Sequence, residues 1–346
     1  MTALYQLVRD ADLTRRNTFG VPARAPWLLQ VNDASLLPEA LGLPQLRGLP
    51  LLPLGGGSNL LFAGDAPGAV LVMGGDRIEL LPGDGDAVRV RAEAGAEWHG
   101  LVMWSVGQGL SGLENLALIP GSVGAAPIQN IGAYGVGAGE RIVAVEAWDL
   151  GAQAFVRLDR DACAFGYRDS AFKRQPGRWI VTAVEFALSR TAAPRLGYAG
   201  LAEELAAMGV ASPGPRETAE AVIRIRRRKL PDPAQVGNAG SFFKNPIVPR
   251  ALAESLYQAH PALPVFPGDA EDTRKLSAAW LIDACGWKGR REGDAGVSAG
   301  HALVLVNHGR ATGLQLLDLA RRIAASVQER FGVALEPEPR VVGADW

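Results

Sequence analysis

Cysteine and histidine are scarce in this chain of 346 residues, which contains two cysteines and four histidines. Cys163 and Cys285 lie far apart and outside any paired motif, so neither a disulfide framework nor a cysteine-based zinc site is expected. No two histidines have the H-x-x-x-H spacing that places both imidazoles on one face of a helix. We therefore expect no metal site.

Excess charge and long apolar runs are also missing. Lys and Arg total 35 against 36 for Asp and Glu, so the formal net charge of −1 gives no general attraction to nucleic acid or to an anionic membrane. No uncharged apolar stretch has the length of a membrane span, and Arg9, Asp10 and Asp12 stand where a secretory signal would have its apolar core. We expect a cytoplasmic monomer in which any anionic ligand is held by a local site.

Glycine, in contrast, is abundant, and it is concentrated with proline and alanine in the stretch 119–135, IPGSVGAAPIQNIGAYG. This composition suits neither a packed helix nor an alternating strand, because Gly and Pro destabilise the interiors of both. It suits a backbone that comes very close to a flat or phosphorylated ligand and presents amides to it. An ordinary Gly/Pro-rich surface loop is the alternative.

A second glycine cluster, the triplet 55–57, follows the apolar run LPLLPL at residues 49–54. Ser58 and Asn59 come directly after the triplet. An apolar run that is closed by glycines predicts a strand that turns sharply and could cradle a phosphate. The triplet is not a Walker loop, and it fails G-x-G-x-x-G because Leu60 occupies the place of the last glycine. A tight turn and a pyrophosphate seat both remain open on this evidence.

The periodicity of the remaining chain predicts helices and short strands in an α+β arrangement. Predicted helices lie at 97–110, 217–230, 273–286 with Thr273 as its cap, and from Thr312 to the stop at Gly332. In the helix 217–230 the basic run RIRRRK is expected on a solvated face. Strands are predicted around 70–90, with a hairpin turn at 82–86, after the stretch 119–135, at 301–307, and in the tail after Gly332, which is expected to rejoin an earlier sheet.

Two further segments combine small residues with polar ones. In GNAGSFFKNP, residues 237–246, Ser241 is expected at the exit of a tight turn, with Asn245 on the same face of the strand that follows. In GYRDS, residues 166–170, a Tyr167–Arg168 pair stands in an irregular segment. Taken singly, Ser241 could be a turn hydroxyl and Arg168 could pair with Asp169 at the surface.

The order of these motifs is more specific than any one of them. LGGGSNLLF, IPGSVGAAPIQNIGAYG, GYRDS, KLPDP with GNAGSFFKNP, and finally LEPEPR resemble the UDP-N-acetylenolpyruvoylglucosamine reductase family of peptidoglycan biosynthesis over nearly the whole chain. The resemblance implies an α+β protein with a two-domain FAD-binding fold of the vanillyl-alcohol-oxidase type and a C-terminal α+β substrate domain. The implied domains are 1–76, then 77–230 with 332–346, and the substrate domain 231–331.

The resemblance also implies an activity, which is reduction of UDP-N-acetylglucosamine enolpyruvate to UDP-N-acetylmuramate with bound FAD and with NADPH as co-substrate. Arg168 matches the guanidinium that faces the substrate carboxylate, and Glu338 matches an acidic residue near the same group. Ser241 matches the residue that protonates the carbon intermediate. An FAD oxidase or dehydrogenase acting on another substrate, and a catalytically silent flavin-binding module, are the alternatives.

Ligand-holding residues are implied in the same way. The residues that match FAD-binding positions are Gly55, Gly56, Gly57, Ser58, Asn59, Ser122, Gln129 and Asn130. The residues that match positions holding the UDP-sugar are Tyr198, Lys229, Asn245 and Lys288. Tyr198, in PRLGYAGL, matches the subclass in which a loop tyrosine closes over the diphosphate.

Overall fold

The computed structural model describes residues 4–82 and 85–346, so the hairpin turn predicted at 82–86 lies partly outside the described residues. Contacts within the chain divide it into two units. The first unit runs up to Ala11 and includes Ala25–Gly56 and Pro67–Arg226; the second consists of Asp12–Arg24, Gly57–Ala66 and Arg227–Trp346. The three-domain division expected from the sequence stays a prediction, and the tail 332–346 groups by its contacts with the second unit.

The strands of the described residues are numbered in chain order. They are β1 Tyr5–Asp12, β2 Arg24–Val31, β3 Leu51–Pro53, β4 Leu60–Phe62, β5 Ala69–Met73, β6 Ile78–Leu80, β7 Ala87–Glu93, β8 Gly132–Ala133, β9 Val136–Gly137, β10 Ile142–Asp149, β11 Ala154–Asp159, β12 Trp179–Ser189, β13 Ile247–Pro249, β14 Val265–Pro267, β15 Thr273–Leu276, β16 Arg291–Glu292, β17 Ala295–Val297, β18 Leu305–Asn307 and β19 Arg340–Val342.

The α-helices are numbered in the same way. They are α1 Leu37–Leu41, α2 Trp98–Gly107, α3 Arg160–Cys163, α4 Ala171–Arg174, α5 Leu201–Ala207, α6 Pro215–Lys229, α7 Arg250–Ala259, α8 Ala278–Ala284 and α9 Gly313–Phe331. Within the described residues, no helix combines the length and the apolar character that crossing a bilayer requires.

Two sheets organise the first unit. One has the strand order β1-β2-β5-β3, with β5 parallel to both β2 and β3, and the other is an antiparallel sheet in the order β11-β10-β12-β7-β6. The antiparallel sheet packs against α2, where fully buried Trp98 meets Phe186 edge to face at 6.0 Å between ring centroids. The indole Nε1 of Trp98 donates to the Leu116 carbonyl at 3.0 Å, which fixes the chain just before the stretch 119–135.

The second unit is built around the long helix α9. Thr312 caps its N-terminus through a capping box with Gln315, and Gly332 ends it in the left-handed region at φ +65°, as the sequence predicts. Its buried face includes Leu316, Leu319 and Ile323. The predicted return of the tail to an earlier sheet is confirmed, since β19 pairs in parallel with β4.

Two predicted elements are wrong in detail. The helix predicted at 273–286 begins only at Ala278, where Ser277 caps it, because Thr273–Leu276 forms the central strand β15 between β13 and β14. Backbone hydrogen bonds from both neighbours outweigh the helical spacing of these four residues. The strand predicted at 301–307 is shorter, because His301 accepts a turn hydrogen bond from the Val304 amide at 3.0 Å before β18 begins.

Candidate active site

In the first unit, the end of the run before the glycine triplet lies against the stretch 119–135. A Cβ on Gly55 would stand 2.5 Å from the Ser122 hydroxyl oxygen, and one on Gly56 would stand 2.9 Å from the Gly121 Cα. Glycine is therefore required at Gly56 by the close approach of two backbones, whereas at Gly55 the crowding comes from the side chains of Ser122 and Ala125. In the second unit, Gly57 has φ +64°, and a Cβ there would stand 2.0 Å from the Arg16 carbonyl oxygen.

The amides on this face are available to a ligand. Within residues 4–82 and 85–346, the backbone amides of Gly55, Gly56 and Ser122 donate to no protein acceptor, and both glycines are exposed. Ser122 is held from its other side, because the amide of Val123 donates to the Ala96 carbonyl at 2.9 Å. Amides without a protein acceptor, close together and beside glycines, can bind an anion, so these residues fit the pyrophosphate of a dinucleotide cofactor.

Asn130 organises the later part of the same stretch. Its side chain donates to the Gly166 carbonyl at 2.9 Å and accepts from the Gly139 amide at 2.8 Å, while its backbone is left-handed at φ +47°. Asn adopts this conformation more readily than most residues. The side chain of Asn130 thus joins the stretch to the GYRDS segment, and its role in the unit is structural in addition to any contact with a ligand. Ser58 and Gln129 are both half-buried.

Arg168 lies at the tip of a tight turn in GYRDS. Gly166 and Asp169 exchange hydrogen bonds at 2.9 and 3.3 Å, and Arg168, the third residue of the turn, has φ +52°. This conformation is costly for arginine and persists only where the surroundings enforce it. The Lys173 Nζ holds the Arg168 carbonyl at 2.8 Å, and the guanidinium NH2 donates to the Gly132 carbonyl at 2.7 Å.

The sequence left open whether Arg168 pairs with Asp169, and the structure shows another partner for that carboxylate. Asp169 pairs with Arg174. The guanidinium of Arg168 lies beside the stretch 119–135, through its contact with Gly132. A planar, permanently charged fork in this place is suited to binding a carboxylate.

In the second unit, a buried asparagine shapes the turn before Ser241. The Asn238 side chain donates to the Pro231 and Val236 carbonyls at 3.1 and 2.8 Å and accepts from the Gly240 amide at 3.0 Å. Gly240 is left-handed at φ +69°, and a Cβ there would have nothing within 4 Å. The chain leaves this turn at Ser241, as predicted.

The segment after Ser241, which forms isolated β-bridges and no regular strand, meets the segment that carries Glu338. The Glu338 amide donates to the Phe242 carbonyl at 2.8 Å, and the Lys244 amide donates to the Glu336 carbonyl at 3.0 Å. This antiparallel pairing places Glu338 opposite Phe242, the residue that follows Ser241, in one small region of the second unit. Glu338 is held from another side by the Asn59 amide group, which donates to its carbonyl at 3.4 Å.

Lysines form a positive patch in the same unit. Lys229 and Lys288 lie close enough to His301 for both charges to act on it, and the pKa of His301 is lowered first by burial and then by these two lysines. Lys288 is 40% exposed and only 3.9 Å from Asp283. The Asn245 side chain is partly committed, because its Oδ1 accepts from the Ala278 amide at the start of α8 at 3.0 Å. Two exposed ammonium groups near a half-buried histidine suit a diphosphate.

The expectation that the whole basic run of α6 is solvated is wrong for Arg226. Its guanidinium Nε donates to the Leu118 carbonyl at 3.2 Å, and burial lowers its pKa. The spacing in the sequence could have predicted this, because Arg226 comes four residues after buried Val222 and next to Ile225, at the edge of the apolar stripe of the helix. Sequence reasoning also missed buried Asn115, whose side chain donates to the Tyr134 and Arg195 carbonyls.

Comparison with known families agrees with this geometry. Residues 27–154 match the FAD binding domain family. The chain is therefore an FAD-binding flavoprotein, and the predicted cofactor and the predicted FAD-binding fold are confirmed. Residues 232–342 match the C-terminal domain of UDP-N-acetylenolpyruvoylglucosamine reductase. The chain belongs to the UDP-N-acetylenolpyruvoylglucosamine reductase family, whose members are oxidoreductases, as the resemblance implied.

Individual relatives cover almost the full length. The UDP-N-acetylenolpyruvoylglucosamine reductase of Xanthomonas euvesicatoria pv. vesicatoria is 58% identical over 342 residues, which span 99% of this chain and 98% of the relative. The reductase of Xylella fastidiosa (strain M12) is 57% identical over 337 residues, which span 97% of this chain and 96% of the relative. The crystal structure of the reductase from Thermus caldophilus has 29% identity and a TM-score of 0.66, with 98% of each chain covered.

Proposed function

We propose that this protein reduces UDP-N-acetylglucosamine enolpyruvate to UDP-N-acetylmuramate with electrons from NADPH, as a cytoplasmic monomer in peptidoglycan synthesis. The observation that supports the proposal is the hydrogen bond of the Glu338 amide to the Phe242 carbonyl, which joins the segment of the proposed acidic residue to the residue directly after the proposed acid Ser241. Bound FAD supplies the hydride chemistry between NADPH and the enolpyruvyl group.

Ser241 is proposed to give its hydroxyl proton to the substrate carbon beside the carboxylate. A serine hydroxyl is a very weak acid, so the transfer requires a strongly basic carbon and a fixed donor position. The position is fixed by the left-handed Gly240 before Ser241 and by the hydrogen bond from the Phe242 amide to the Leu303 carbonyl at 2.7 Å after it.

Arg168 and Glu338 are proposed to stabilise the charge that develops on the substrate carboxylate. Donors that are oriented before the reaction act without reorganisation cost, which makes them effective where charge appears. The turn around Arg168 and its bond to the Gly132 carbonyl support such preorganisation of the guanidinium. Hydrogen bonds with Phe242 and Asn59 hold the backbone of Glu338, so the position of its Cα is fixed.

The remaining residues are proposed to hold the two nucleotides. The amides of the glycine triplet and of Ser122, with Ser58, Asn59, Gln129 and Asn130, are assigned to FAD. Lys229 and Lys288 are assigned to the substrate diphosphate, Asn245 to the sugar nucleotide, and Tyr198 to a loop that covers the diphosphate. On the last assignment, the protein is proposed to belong to the subclass with that loop.

The test starts with the colour of the purified protein. It is expected to be yellow and to consume NADPH slowly until the enolpyruvyl nucleotide is added, when consumption accelerates. A colourless protein that cannot be loaded with FAD would contradict every flavoenzyme assignment. A yellow protein whose NADPH consumption is unchanged by the nucleotide would leave an oxidase for another substrate, or a silent flavin binder, in its place.

A further inference from the structure

A single buried amide group joins the two segments that carry Tyr134 and Tyr198. Asn115 is 1% exposed, and its Nδ2 donates to the Tyr134 carbonyl at 3.0 Å and to the Arg195 carbonyl at 2.8 Å. An amide nitrogen has two protons, so both are used in this bridge. The two bonds join the glycine-rich stretch to the segment 190–200, which connects β12 to α5 without regular structure.

At the surface, an ion pair joins the same two segments that Asn115 joins in the interior. The Arg195 guanidinium lies 2.6 Å from the Glu140 carboxylate, and it also donates to the Gly135 carbonyl at 3.5 Å. Glu140 is itself fixed, because its other oxygen accepts from the Gly137 amide at 2.9 Å. The segment 190–200 is therefore attached to the residues around Gly135 by a buried bond and an exposed one.

The consequence of these attachments is seen in the two tyrosines. The rings of Tyr134 and Tyr198 meet edge to face, with 5.0 Å between centroids, although Tyr198 is 44% exposed. Tyr134 is left-handed at φ +50°, so its backbone carbonyl is oriented by an uncommon conformation that the bond to Asn115 helps to hold. Without the attachments, an exposed aromatic ring on an irregular segment would sample many orientations.

We propose that Asn115 is a positioning residue for nucleotide binding, which holds the segment 190–200 so that Tyr198 is preordered beside Tyr134, and that the Arg195–Glu140 pair does the same more weakly. The inference rests on the role proposed above for Tyr198. Preordering lowers the entropy that is lost when the nucleotide binds, so it acts on affinity and leaves the reaction of NADPH with the oxidised enzyme alone.

The experiment compares Asn115→Asp with the wild type in the FAD-loaded enzyme. The aspartate keeps the size of the side chain and removes both donors, so the KM for the enolpyruvyl nucleotide is expected to rise about tenfold or more. Flavin bleaching by NADPH is expected to stay within about twofold, because the variant does not change the residues assigned to FAD. Amides of residues 190–200 are expected to exchange hydrogen for deuterium faster in the absence of nucleotide.

A double-mutant cycle with Tyr198→Ala decides whether Asn115 acts through Tyr198. The effect of Asn115→Asp on KM is expected to disappear in the Tyr198→Ala background, since residues that act as one unit are not additive. An unchanged KM in Asn115→Asp, or a full additive effect in the double variant, would overturn the proposal. Wild-type enzyme that ignores the nucleotide would instead remove the proposed function, while the exchange rates of 190–200 would still judge the bridge.

Arg195→Gln covers the case in which Asn115→Asp does not fold. It removes an exposed charge and is expected to raise KM by about twofold to fivefold, again only when Tyr198 is present. The matched control is Arg224→Gln, because Arg224 forms a comparable surface pair with Glu220 and is similarly exposed, at 50% against 51% for Arg195. Equal KM values for Arg195→Gln, Arg224→Gln and the wild type would also overturn the proposal.

Discussion

Two glycine-containing segments of this protein use glycine for different physical reasons. At Gly56 the backbone is packed so closely against the Gly121 backbone that a Cβ would collide with it, and at Gly55 a Cβ would meet the side chains of Ser122 and Ala125. At Gly240 there is open space for a Cβ, and glycine is favoured by the left-handed backbone alone. The first segment presents amides, whereas the second aims the side chain of Ser241.

The comparison indicates where each half of the proposed chemistry is sensitive. A site made of backbone amides tolerates changes of neighbouring side chains but not an added methyl group. A site made of one hydroxyl depends on that atom and tolerates modest adjustment of the turn that carries it. The two kinds of damage are separable, because one reduces FAD content and the other slows oxidation of the reduced enzyme by the nucleotide.

Removing the hydroxyl of the side-chain site is expected to have the largest effect. Ser241→Ala should still be bleached by NADPH, but its reoxidation by the enolpyruvyl nucleotide should slow by about 10²- to 10⁴-fold, the usual contribution of a positioned acid. Stopped-flow absorbance of the flavin separates the two half-reactions. Ser298→Ala is the control, because the Ser298 hydroxyl oxygen accepts a hydrogen bond from the nearby Gly300 amide at 3.2 Å. Normal reoxidation in Ser241→Ala would remove Ser241 as the acid.

Adding a methyl group to the amide site is expected to have the next largest effect. Gly56→Ala would bring a Cβ to 2.9 Å from the Gly121 Cα, and relieving this overlap costs about 1–3 kcal/mol, or roughly tenfold or more in FAD affinity. The measurement is FAD content after purification and the dissociation constant on reloading. Gly107→Ala is the matched control, because a Cβ there has nothing within 4 Å. Equal FAD affinity in both variants would contradict the close-approach argument.

Strain at the turn before Ser241 is expected to be milder. Gly240→Ala places an alanine at φ +69°, which costs about 1–2 kcal/mol, so the thermal midpoint should fall by a few degrees and turnover by less than tenfold. FAD content should not change. Gly240→Asn should recover most of the loss, since asparagine adopts the left-handed region more readily. If alanine and asparagine behave alike, conformation is not the reason for glycine at this position.

The smallest effect is expected in the pH dependence of nucleotide binding. Burial and the charges of Lys229 and Lys288 lower the pKa of His301 below its usual value of 6.5. A bound diphosphate would offset the two lysines and raise that pKa again, so binding should take up protons and tighten by about twofold to fivefold as the pH falls through the raised value. Titration calorimetry in buffers of different ionisation enthalpy measures the uptake.

His301→Asn should abolish this proton uptake. His308→Asn is the control, because the pKa of His308 is lowered mainly by burial and by Arg291, away from the two lysines. If proton uptake survives in His301→Asn and is lost in His308→Asn, the uptake belongs to His308, and the prediction for His301 is contradicted.

Local signals explain what sequence reasoning found in the fold. Helix α9 was predicted to the residue because Thr312 and Gly332 act on the turn next to them. The helix predicted at 273–286 was wrong at its start, because Thr273–Leu276 is held as a strand by β13 and β14, which lie elsewhere in the sequence. The burial of Arg226 was missed because every charged residue of the basic run was expected to be exposed, although Arg226 lies at the edge of the apolar stripe of α6.

By itself, the sequence determined the order of the motifs, and that order was sufficient for the family, the cofactor and the fold class. Only the tertiary structure decided that Asp169 pairs with Arg174, that the Glu338 amide donates to the Phe242 carbonyl, and that Asn115 joins two loops. The reason is that a motif records which residues are present, whereas these contacts join residues that are distant along the chain and depend on how the backbone folds between them.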